Sequence, residues 1–427
     1  MAPPKPVSRN PWSWVPSLYV AEGIPYVMAM TVSVVLYKRL GISNTDIAFY
    51  TSWLYLPWVI KPLWSPFVEL FRTKRYWILL MQLLTGASLA CIALTLPTAR
   101  FFQYTLAFFW LMAFSSATHD TAADGFYMLG LPEHFQAAFV GVRTIFYRFA
   151  MIAAQGGLVI FAGHLEGSGH DISTAWSLTF FLTAAVFMAL FLYHFFALPY
   201  PTADRPAGRN GSKSVAGEFL RIFGLFFRKK GIVAILAFFL FYRLAETQLL
   251  KIIVPFLLDP RSKGGLGLAT TEVGIIYGTV GVIALMLGGL LGGYAIYNKG
   301  LKFWIWIMVC VMHLPDLVFV YLSQAMPDNL YLINLAVAVE QFGYDFGFTA
   351  YTVFMIMVSE GEHKTVHYAI STGIMALGMM VPAMASGWLQ EQIGYQNFFL
   401  WVMAATIPGF IVAALVKIAP EYGKIKT

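Results

Sequence analysis

Long apolar stretches alternate with short polar segments along the whole chain. Twelve of these stretches reach the length of about 20 residues that a membrane-spanning helix needs. They are residues 14–37, 47–71, 76–97, 102–130, 137–162, 174–198, 231–257, 273–297, 302–323, 330–358, 366–390 and 395–417. The pattern therefore predicts an all-α membrane protein with twelve transmembrane helices.

Composition agrees with a chain that is surrounded by a lipid bilayer. Of the 427 residues, 59% are hydrophobic and 11% are charged, which is too little charge to cover the surface of a soluble protein. This excludes a soluble enzyme, a secreted disulfide scaffold and a nucleic-acid-binding protein. Cys91 and Cys310 each lie inside an apolar stretch, so we expect two buried thiols rather than a disulfide or a metal site.

The basic residues predict the orientation of the chain, because Lys and Arg accumulate on the cytoplasmic side of a membrane. If both termini are cytoplasmic, most of the basic residues outside the spans fall on the inner side. The outer loops then hold only Lys38, Arg39, Arg100, Arg261 and Lys263. This asymmetry predicts two cytoplasmic termini and an even number of spans.

The longest polar segment separates the predicted spans into two sets of six. We therefore predict an N-terminal six-helix bundle at residues 1–198, a cytoplasmic linker at 199–230 and a C-terminal six-helix bundle at 231–427. Residues 215–230 are basic and amphipathic and can lie along the membrane surface, although a simple linker with orienting charges explains them equally well.

A faint repeat relates the two halves. Ala21-Glu22 in the first span returns as Ala245-Glu246 in the seventh, and Asp120 in the fourth returns as Asp345 in the tenth at nearly the same offset. Two halves related by a repeat are typical of secondary transporters, which bind their substrate between the halves.

Ionisable residues within the predicted spans are costly and are therefore candidates for function. In the first half, four spans each place one such residue at a similar depth, and these residues are Glu22, Lys61, Asp120 and Arg148. Asp124 and Arg143 lie one helical turn nearer the cytoplasm, and Asp124 shares a helix face with Asp120. We expect these opposite charges to neutralise one another in a cavity.

This set of side chains suits the transport of an anion with protons. A carboxylate in a cavity that opens to either side can take up a proton on one side and release it on the other. We expect this role for Glu22 and Asp120, with Glu246 as a further candidate.

The cationic and aromatic side chains suit a substrate that carries acidic groups and sugar rings. Because a guanidinium binds a carboxylate or phosphate through two hydrogen bonds, we expect substrate contacts from Lys61, Arg143 and Arg148. A cytoplasmic gate is an equal alternative for Arg143, and Asp124 is interpreted as the structural partner of an arginine. Aromatic faces with polar tips suit a sugar, and the candidates are Tyr19, Tyr26 and Trp58.

Charged pairs in the second half are interpreted mainly as structural or gating groups. Arg243 and Glu246 are three residues apart and can pair along one helix face. Asp345 comes near the middle of its predicted span. His313 and Asp316 are also three residues apart and are interpreted as a local structural pair.

Sequence signatures of nucleotide-dependent and hydrolytic enzymes, such as the P-loop, His-Glu-x-x-His and Gly-x-Ser-x-Gly, do not occur. We therefore expect neither a metal nor a cofactor, and no ATP-driven pump within this chain. The alternative of another class is a membrane-embedded acyltransferase that uses His119 or His313 as a base.

Residues 61–75 contain a loop motif, which reads Lys61-Pro-Leu-Trp-Ser-Pro-Phe-Val-Glu69-Leu-Phe-Arg72-Thr-Lys-Arg75. It resembles a degenerate form of the signature that major facilitator superfamily transporters carry between their second and third spans. The resemblance implies the major facilitator fold. It also implies a cytoplasmic latch, in which the helix-end acid Glu69 meets the basic residues Arg72 and Arg75.

Three narrower motifs occur within the first five spans. They are Lys-Pro-Leu-Trp-Ser-Pro from Lys61, Ser-Ser-Ala-Thr-His-Asp ending at Asp120 with Asp124 after it, and Tyr-Arg ending at Arg148 with Gln-Gly-Gly from Gln155. Together they resemble the AmpG-type muropeptide permeases and the related acetyl-CoA transporters. Lys61, Asp120, Asp124 and Arg148 are the matching positions.

This resemblance implies a monomeric inner-membrane carrier that works by alternating access. Its cargo would be an anionic small molecule, an anhydro-muropeptide recovered from the cell wall, imported with protons. The chain departs from some members of the family, which carry two spans more than the twelve predicted here. A carrier of another anionic metabolite, such as a coenzyme A ester or a siderophore, is the alternative within the same class.

Overall fold

The computed structural model describes residues 9–205 and 212–425, and this part of the chain consists of helices joined by short turns. The helices up to residue 205 are α1 (Val15–Val27), α2 (Ser33–Arg39), α3 (Asn44–Trp53), α4 (Leu56–Leu70), α5 (Lys74–Thr95), α6 (Phe101–Gly130), α7 (Glu133–Met151), α8 (Val159–Gly167) and α9 (Ile172–Ala197). The helices that follow are α10 (Ser212–Phe227), α11 (Ile232–Phe241), α12 (Leu244–Leu258), α13 (Thr270–Val273), α14 (Val282–Lys299), α15 (Leu301–His313), α16 (Leu317–Ala325), α17 (Leu330–Ser359), α18 (Lys364–Ala405) and α19 (Ile407–Leu415).

Eight helical stretches within the described residues are long and apolar enough to cross a membrane. They are Pro11–Arg39, Lys74–Thr95, Gly141–Gly167, Ile172–Ala197, Ile232–Leu258, Thr270–Lys299, Leu301–Ala325 and Val366–Leu415. The last stretch contains both of the final two predicted spans. Helices at the second, fourth and tenth predicted spans are not among the eight, so the count of twelve and the cytoplasmic termini stay predictions.

Several spans are interrupted by short segments of different helical geometry. Met28–Val32, between α1 and α2, and Ile152–Leu158, between α7 and α8, are π-helical and pack against each other. In α18, Gly394 has φ 74° and separates two helices, because this backbone conformation favours glycine. Such wide turns are frequent near functional sites, and the first two follow the helices that carry Glu22 and Arg143.

The contacts of the chain divide it into two compact units. The first unit contains the described residues up to Ser33 and Ile60–Glu218. Within it, α5 packs between α6 and α9, and α1 packs on α6 and α7. A buried cluster that includes Trp14, Tyr19 and Phe126 fills the space around α1.

The second unit contains Val34–Val59 and the described residues from Phe219 onwards. Here α3 packs against α18 and α12, and α17 lies between α14 and α15. A polar network holds the early segment to the later helices. Lys38 lies 2.6 Å from the Asp259 carboxylate, Tyr395 donates to Asp259 at 2.5 Å, and Asn44 donates to the Gln390 amide oxygen at 2.6 Å.

Part of the predicted linker forms the amphipathic helix α10. Its apolar side is buried in the second unit through Ile222 and Phe226, whereas Arg221 and Arg228 are exposed. Phe226 also lies edge-on to the ring of His367, with ring centroids 5.5 Å apart. The helix is thus attached to the C-terminal helices by its aromatic side.

Glycines allow the backbone of α17 to lie very close to α14. A Cβ atom on Gly288 would overlap the Phe342 carbonyl, and one on Gly292 would lie 2.9 Å from the Phe346 carbonyl oxygen. The run Gly288-Gly289-Leu-Leu-Gly292-Gly293 therefore follows the rule that small residues bring membrane helices together. The carboxylate of Asp345 lies against Gly289, where any larger residue would displace it.

We predict that Gly288→Ala destabilises the second unit, because the added methyl group must push the backbones of α14 and α17 apart. Overpacking of this kind costs about 1–3 kcal/mol. The measurement is the thermal unfolding of the purified protein in detergent. Gly293→Ala is the matched control, because a Cβ atom there meets nothing within 4 Å. Equal melting temperatures for the two variants would contradict the prediction.

Candidate functional site

An ionic cluster forms in the first unit, where partly buried side chains from four helices meet. The cluster consists of Glu22 from α1, Lys61 from α4, Asp120 and Asp124 from α6, and Arg143 from α7. The sequence predicts all five residues as candidates from their depth in the predicted spans. Their assembly in one place is what lets such groups exist inside apolar helices.

Lys61 and Asp120 form the first ion pair of this cluster. The Lys61 ammonium group donates to Asp120 Oδ2. The two side chains are 25% and 18% exposed, so the pair is only partly buried. Asp120 is on the fourth predicted span and Lys61 on the second, and the pair therefore links α4 to α6.

Arg143 and Asp124 form the second ion pair, one helical turn along α6. Arg143 Nη2 lies 2.8 Å from Asp124 Oδ1, and the Tyr19 hydroxyl donates to the same oxygen at 3.2 Å. The guanidinium also lies over two aromatic rings, 4.7 Å from the centre of Tyr19 and 5.3 Å from that of Tyr127. The rings and the carboxylate together fix the position of a strongly charged group.

Glu22 is the third carboxylate of the cluster and is 9% exposed. Glu22, Asp120 and Asp124 each contribute one carboxylate oxygen, and these three oxygens lie within 4.8 Å of one another. Glu22 Oε2 has no hydrogen-bond partner among the described residues. Three carboxylates thus face two cations, and Glu22 is the acid without a cation of its own.

The glycine next to Glu22 explains why α1 can bring this carboxylate so close to the other helices. A Cβ atom on Gly23 would lie 2.8 Å from Ala150 Cβ and 3.0 Å from the Tyr147 carbonyl oxygen. A larger residue would push α1 away from α7. The local sequence therefore places Glu22 within the cluster by allowing close helix packing.

The remaining predicted substrate contacts lie elsewhere. Arg148 is half-buried on α7, with Nη1 3.7 Å from the sulfur of Met151. Tyr26 is half-buried on α1 and interacts electrostatically with Tyr147. Trp58 belongs to the second unit by its contacts, although Lys61 lies only three residues further along. These three residues take no part in the two ion pairs described above.

The predicted cytoplasmic latch has a different composition in the structure. The side chain of Glu69 lies outside the described residues. Arg72 lies 5.7 Å from the Tyr76 ring, and Arg75 donates to the Phe195 carbonyl and lies 4.1 Å from the Tyr200 ring. The acid that meets the start of α5 is Asp204, which accepts from the backbone N–H groups of Lys74 at 2.7 Å and Arg75 at 3.0 Å.

Sequence reasoning missed Asp204, and little in the sequence could have identified it. It follows α9 in the polar segment that was predicted as a linker. Its function as a helix cap depends on contact with residues about 130 positions earlier. A carboxylate at a helix N-terminus is favourable because it satisfies free N–H groups and the helix dipole.

Arg243 in the second unit does not form the predicted pair with Glu246. It forms no ion pair within the described part of the chain and instead donates to the Tyr344 hydroxyl and lies 4.3 Å from the Phe348 ring. The aromatic faces of α17 thus attract the guanidinium in place of the carboxylate. Asp345 is buried where α17 meets Gly289.

Lys251 is a buried cation that the sequence interpretation left without a role. Its ammonium group donates to the Thr51 hydroxyl at 2.9 Å and lies 5.9 Å from the Tyr55 ring. All three residues belong to the second unit.

His119 is not placed like a catalytic base. It is buried, and its Nε2 lies 3.0 Å from the Gln82 side-chain nitrogen. Gln82 also contacts His194, which in turn contacts the Ser17 hydroxyl at 2.9 Å. His119 thus belongs to a structural hydrogen-bond chain, as expected for a buried polar group.

Comparison with known proteins adds relatives that span almost the whole chain. The anhydromuropeptide permease of Escherichia coli is 24% identical over 413 residues, covering 95% of this chain and 79% of the permease. A protein of Rickettsia conorii named transporter AmpG 4 is 23% identical over 408 residues, covering 92% of this chain and 94% of that protein. No protein-family model matches the chain.

Solved transporter structures share the fold. A D-xylose–proton symporter has a TM-score of 0.69 at 12% identity and covers 97% of this chain and 98% of its own. The nucleoside transporter NupG has a TM-score of 0.66 at 15% identity and covers 95% of this chain and 98% of its own. At these identities the likeness describes the fold and not the substrate.

These relatives are named permeases and transporters rather than enzymes. The resemblance that the motifs predicted is thereby confirmed, and so is the prediction of a multi-pass protein of the inner membrane. Over almost its whole length, this chain is similar to AmpG-type permeases, and it has the fold of the major facilitator transporters.

Proposed function

We propose that this chain is a secondary active transporter that imports an anionic sugar–peptide of the anhydromuropeptide class together with protons. The observation that carries the proposal is the ionic cluster of the first unit, in which Lys61 and Arg143 face three carboxylates. The names of the relatives supply the substrate class.

The two ion pairs offer a physical reason for coupling. A substrate carboxylate that binds to Lys61 competes with Asp120 for the same cation. The displaced Asp120 then lies beside the carboxylates of Glu22 and Asp124 without a counter-ion, an arrangement that protonation of one carboxyl group stabilises. Substrate and proton therefore favour each other's binding, which is the requirement for a symporter.

Glu22 gives the cluster its second proton-binding group. When all five residues are ionised, the three carboxylates outnumber the two cations by one charge. One proton on Glu22 makes the cluster neutral, and a neutral cluster is the form that an apolar environment favours. We therefore assign proton coupling to Glu22 and Asp120. The coupling role predicted for Glu246 stays a prediction, since its carboxylate belongs to the other unit.

The aromatic residues around Arg143 orient its guanidinium, and Tyr19 keeps its predicted role in substrate binding. Tyr19 and Tyr127 hold the guanidinium between their rings and the Asp124 carboxylate. A substrate anion that replaces Asp124 would meet the same guanidinium in a fixed orientation. The half-buried Arg148, Tyr26 and Trp58 keep their predicted roles in substrate binding as part of this proposal.

The experiment that tests the proposal is uptake of labelled anhydromuropeptide into proteoliposomes with an imposed pH gradient. We expect accumulation above the external concentration, and its loss when an uncoupler dissipates the gradient. A panel with a coenzyme A ester and a siderophore tests the alternative cargoes. Accumulation of one of those molecules in place of the muropeptide would contradict the substrate class. Formation of an acylated product in detergent, without a gradient, would support an acyltransferase instead.

Asp120→Asn is predicted to abolish uphill accumulation, because the amide cannot take up the coupling proton. Downhill exchange of substrate should remain, since Lys61 is still present. The measurement compares gradient-driven uptake with counterflow in the same vesicles. Glu421→Gln, which removes an exposed carboxylate near the C-terminus, is the control and should behave like the wild type. Unchanged gradient-driven accumulation in Asp120→Asn would remove Asp120 from the coupling mechanism.

Arg143→Ala and Arg148→Ala are both predicted to weaken the binding of the anionic substrate. Loss of a hydrogen bond to a charged group costs about 1.5–3 kcal/mol, which corresponds to a roughly 10- to 100-fold weaker affinity. Arg143→Ala should have the larger effect, because it also leaves Asp124 without its cation. Isothermal titration calorimetry measures both affinities, and an uncharged analogue of the substrate is the control ligand. Wild-type affinity in Arg148→Ala would show that this residue is structural.

A further inference from the structure

A second cluster of titratable groups lies in the second unit, apart from the residues used in the proposed function. It consists of Glu246 on α12, His313 at the end of α15 and Asp316 in the 3-10 turn Leu314–Asp316 that follows. One ligand atom from each residue lies within 4.8 Å of the others. The three side chains are at most 1% exposed, so the cluster is sealed from solvent.

The hydrogen bond of His313 fixes which of its ring nitrogens faces the cluster. Nε2 lies 3.1 Å from the Tyr242 carbonyl oxygen. Because a carbonyl oxygen can only accept, Nε2 must carry the hydrogen. The neutral ring then presents the lone pair of Nδ1 to Asp316 Oδ2 at 3.8 Å, a distance too long for a hydrogen bond. Two electron-rich atoms therefore face each other.

The other acceptor atoms of the cluster also lack partners among the described residues. Both oxygens of Glu246, both oxygens of Asp316 and Nδ1 of His313 are buried without a hydrogen bond. Glu340 lies beside Glu246, and its Oε1 is equally buried and unpaired. A buried unpaired polar group costs about 1–3 kcal/mol, and a charged one costs more. The cluster is therefore incomplete without a source of positive charge.

Within the described part of the second unit, no lysine or arginine side chain forms an ion pair with Glu246, Asp316 or Glu340. Arg243, one turn before Glu246, donates to Tyr344 and stacks on Phe348. In the first unit, by contrast, Lys61 and Arg143 each form an ion pair with a carboxylate. If Glu246, Asp316 and Glu340 are ionised, Arg243 balances one of three negative charges, and two positive charges are missing.

We propose that Glu246, His313 and Asp316 bind one divalent metal ion of the first-row transition series, such as Mn²⁺ or Zn²⁺, with Glu340 as an outer carboxylate. Imidazole nitrogen and carboxylate oxygen are ligands of such ions. A histidine that ligates a metal commonly donates its other N–H group to a backbone carbonyl, which His313 does with Tyr242.

The spacing of the three ligand atoms agrees with this assignment. Two ligand atoms on opposite sides of an ion, with bonds of about 2.0–2.2 Å, are about 4–4.5 Å apart. This distance is slightly less than 4.8 Å, the upper limit of the separation between the ligand atoms of Glu246, His313 and Asp316. Small side-chain rotations therefore suffice to close the site. A bound ion would connect α12 to the turn after α15, where Pro315 ends regular α-helical geometry and directs Asp316 inward.

Direct measurement of ion binding tests the proposal without any transport substrate. Purified protein, freed of its polyhistidine tag and of metal by a chelator, is titrated with Mn²⁺ and with Zn²⁺. Calorimetry and elemental analysis by mass spectrometry give the affinity and the number of ions per chain. We expect one ion per chain and a higher melting temperature of the loaded wild-type protein, because a ligand of the folded state stabilises it.

Single variants identify the ligands. Glu246→Gln, His313→Gln and Asp316→Asn should each weaken binding by more than tenfold. Glu421→Gln is the matched control, because it removes an exposed carboxylate outside both acidic clusters and should keep the wild-type affinity for the ion. Binding that all three variants leave unchanged would overturn the assignment of the ligands.

The wild-type protein alone can overturn the proposal, so it does not depend on whether each variant folds. If neither ion binds stoichiometrically, the site is not a metal site. If the metal-free protein shows infrared bands of protonated carboxyl groups that an added ion does not remove, protons supply the missing charge instead. Muropeptide uptake without metal binding would overturn this inference while leaving the proposed function intact.

Discussion

The structure depends on the neutralisation of charge inside apolar helices. An ion within the membrane is tolerated only where an opposite charge or a protonation step cancels it. In the first unit, Lys61 pairs with Asp120 and Arg143 pairs with Asp124, while Glu22 adds a carboxylate beyond the number of cations. Under the proposed function, the stability of the resting protein and the binding of the substrate depend on the same few groups.

Close helix packing is what brings these charges into contact. Gly23 lets α1 approach α7 next to Glu22, and the glycines of α14 do the same for α17 beside Asp345. The π-helical segments Met28–Val32 and Ile152–Leu158 follow α1 and α7 and pack against each other. Local backbone features thus decide which ionisable groups meet, and the ionic interactions stabilise the arrangement afterwards.

The sequence predicted the depth of the charged residues better than their partners. Helix rise alone places Lys61 level with Asp120, and a spacing of four residues places Asp124 on the same face, so this cluster could be anticipated. The rotation of a helix about its axis could not be anticipated in this way. The contact of Arg243 with aromatic rings rather than with Glu246 was therefore not predicted. Contacts between distant segments, such as Asp204 with the start of α5 or Lys38 with Asp259, produce no periodic pattern in the sequence from which they could be predicted.

The ion pair of Lys61 and Asp120 has a consequence for how proteins similar to this chain can diverge. Losing either residue alone changes the charge balance of the cluster, whereas replacing both with neutral residues of similar size keeps that balance and removes the proposed coupling group. If the proposed coupling is right, similar proteins that transport without protons are expected to have changed both positions together. Whether both positions are retained or both are changed would then distinguish proton-driven carriers from passive carriers among similar proteins.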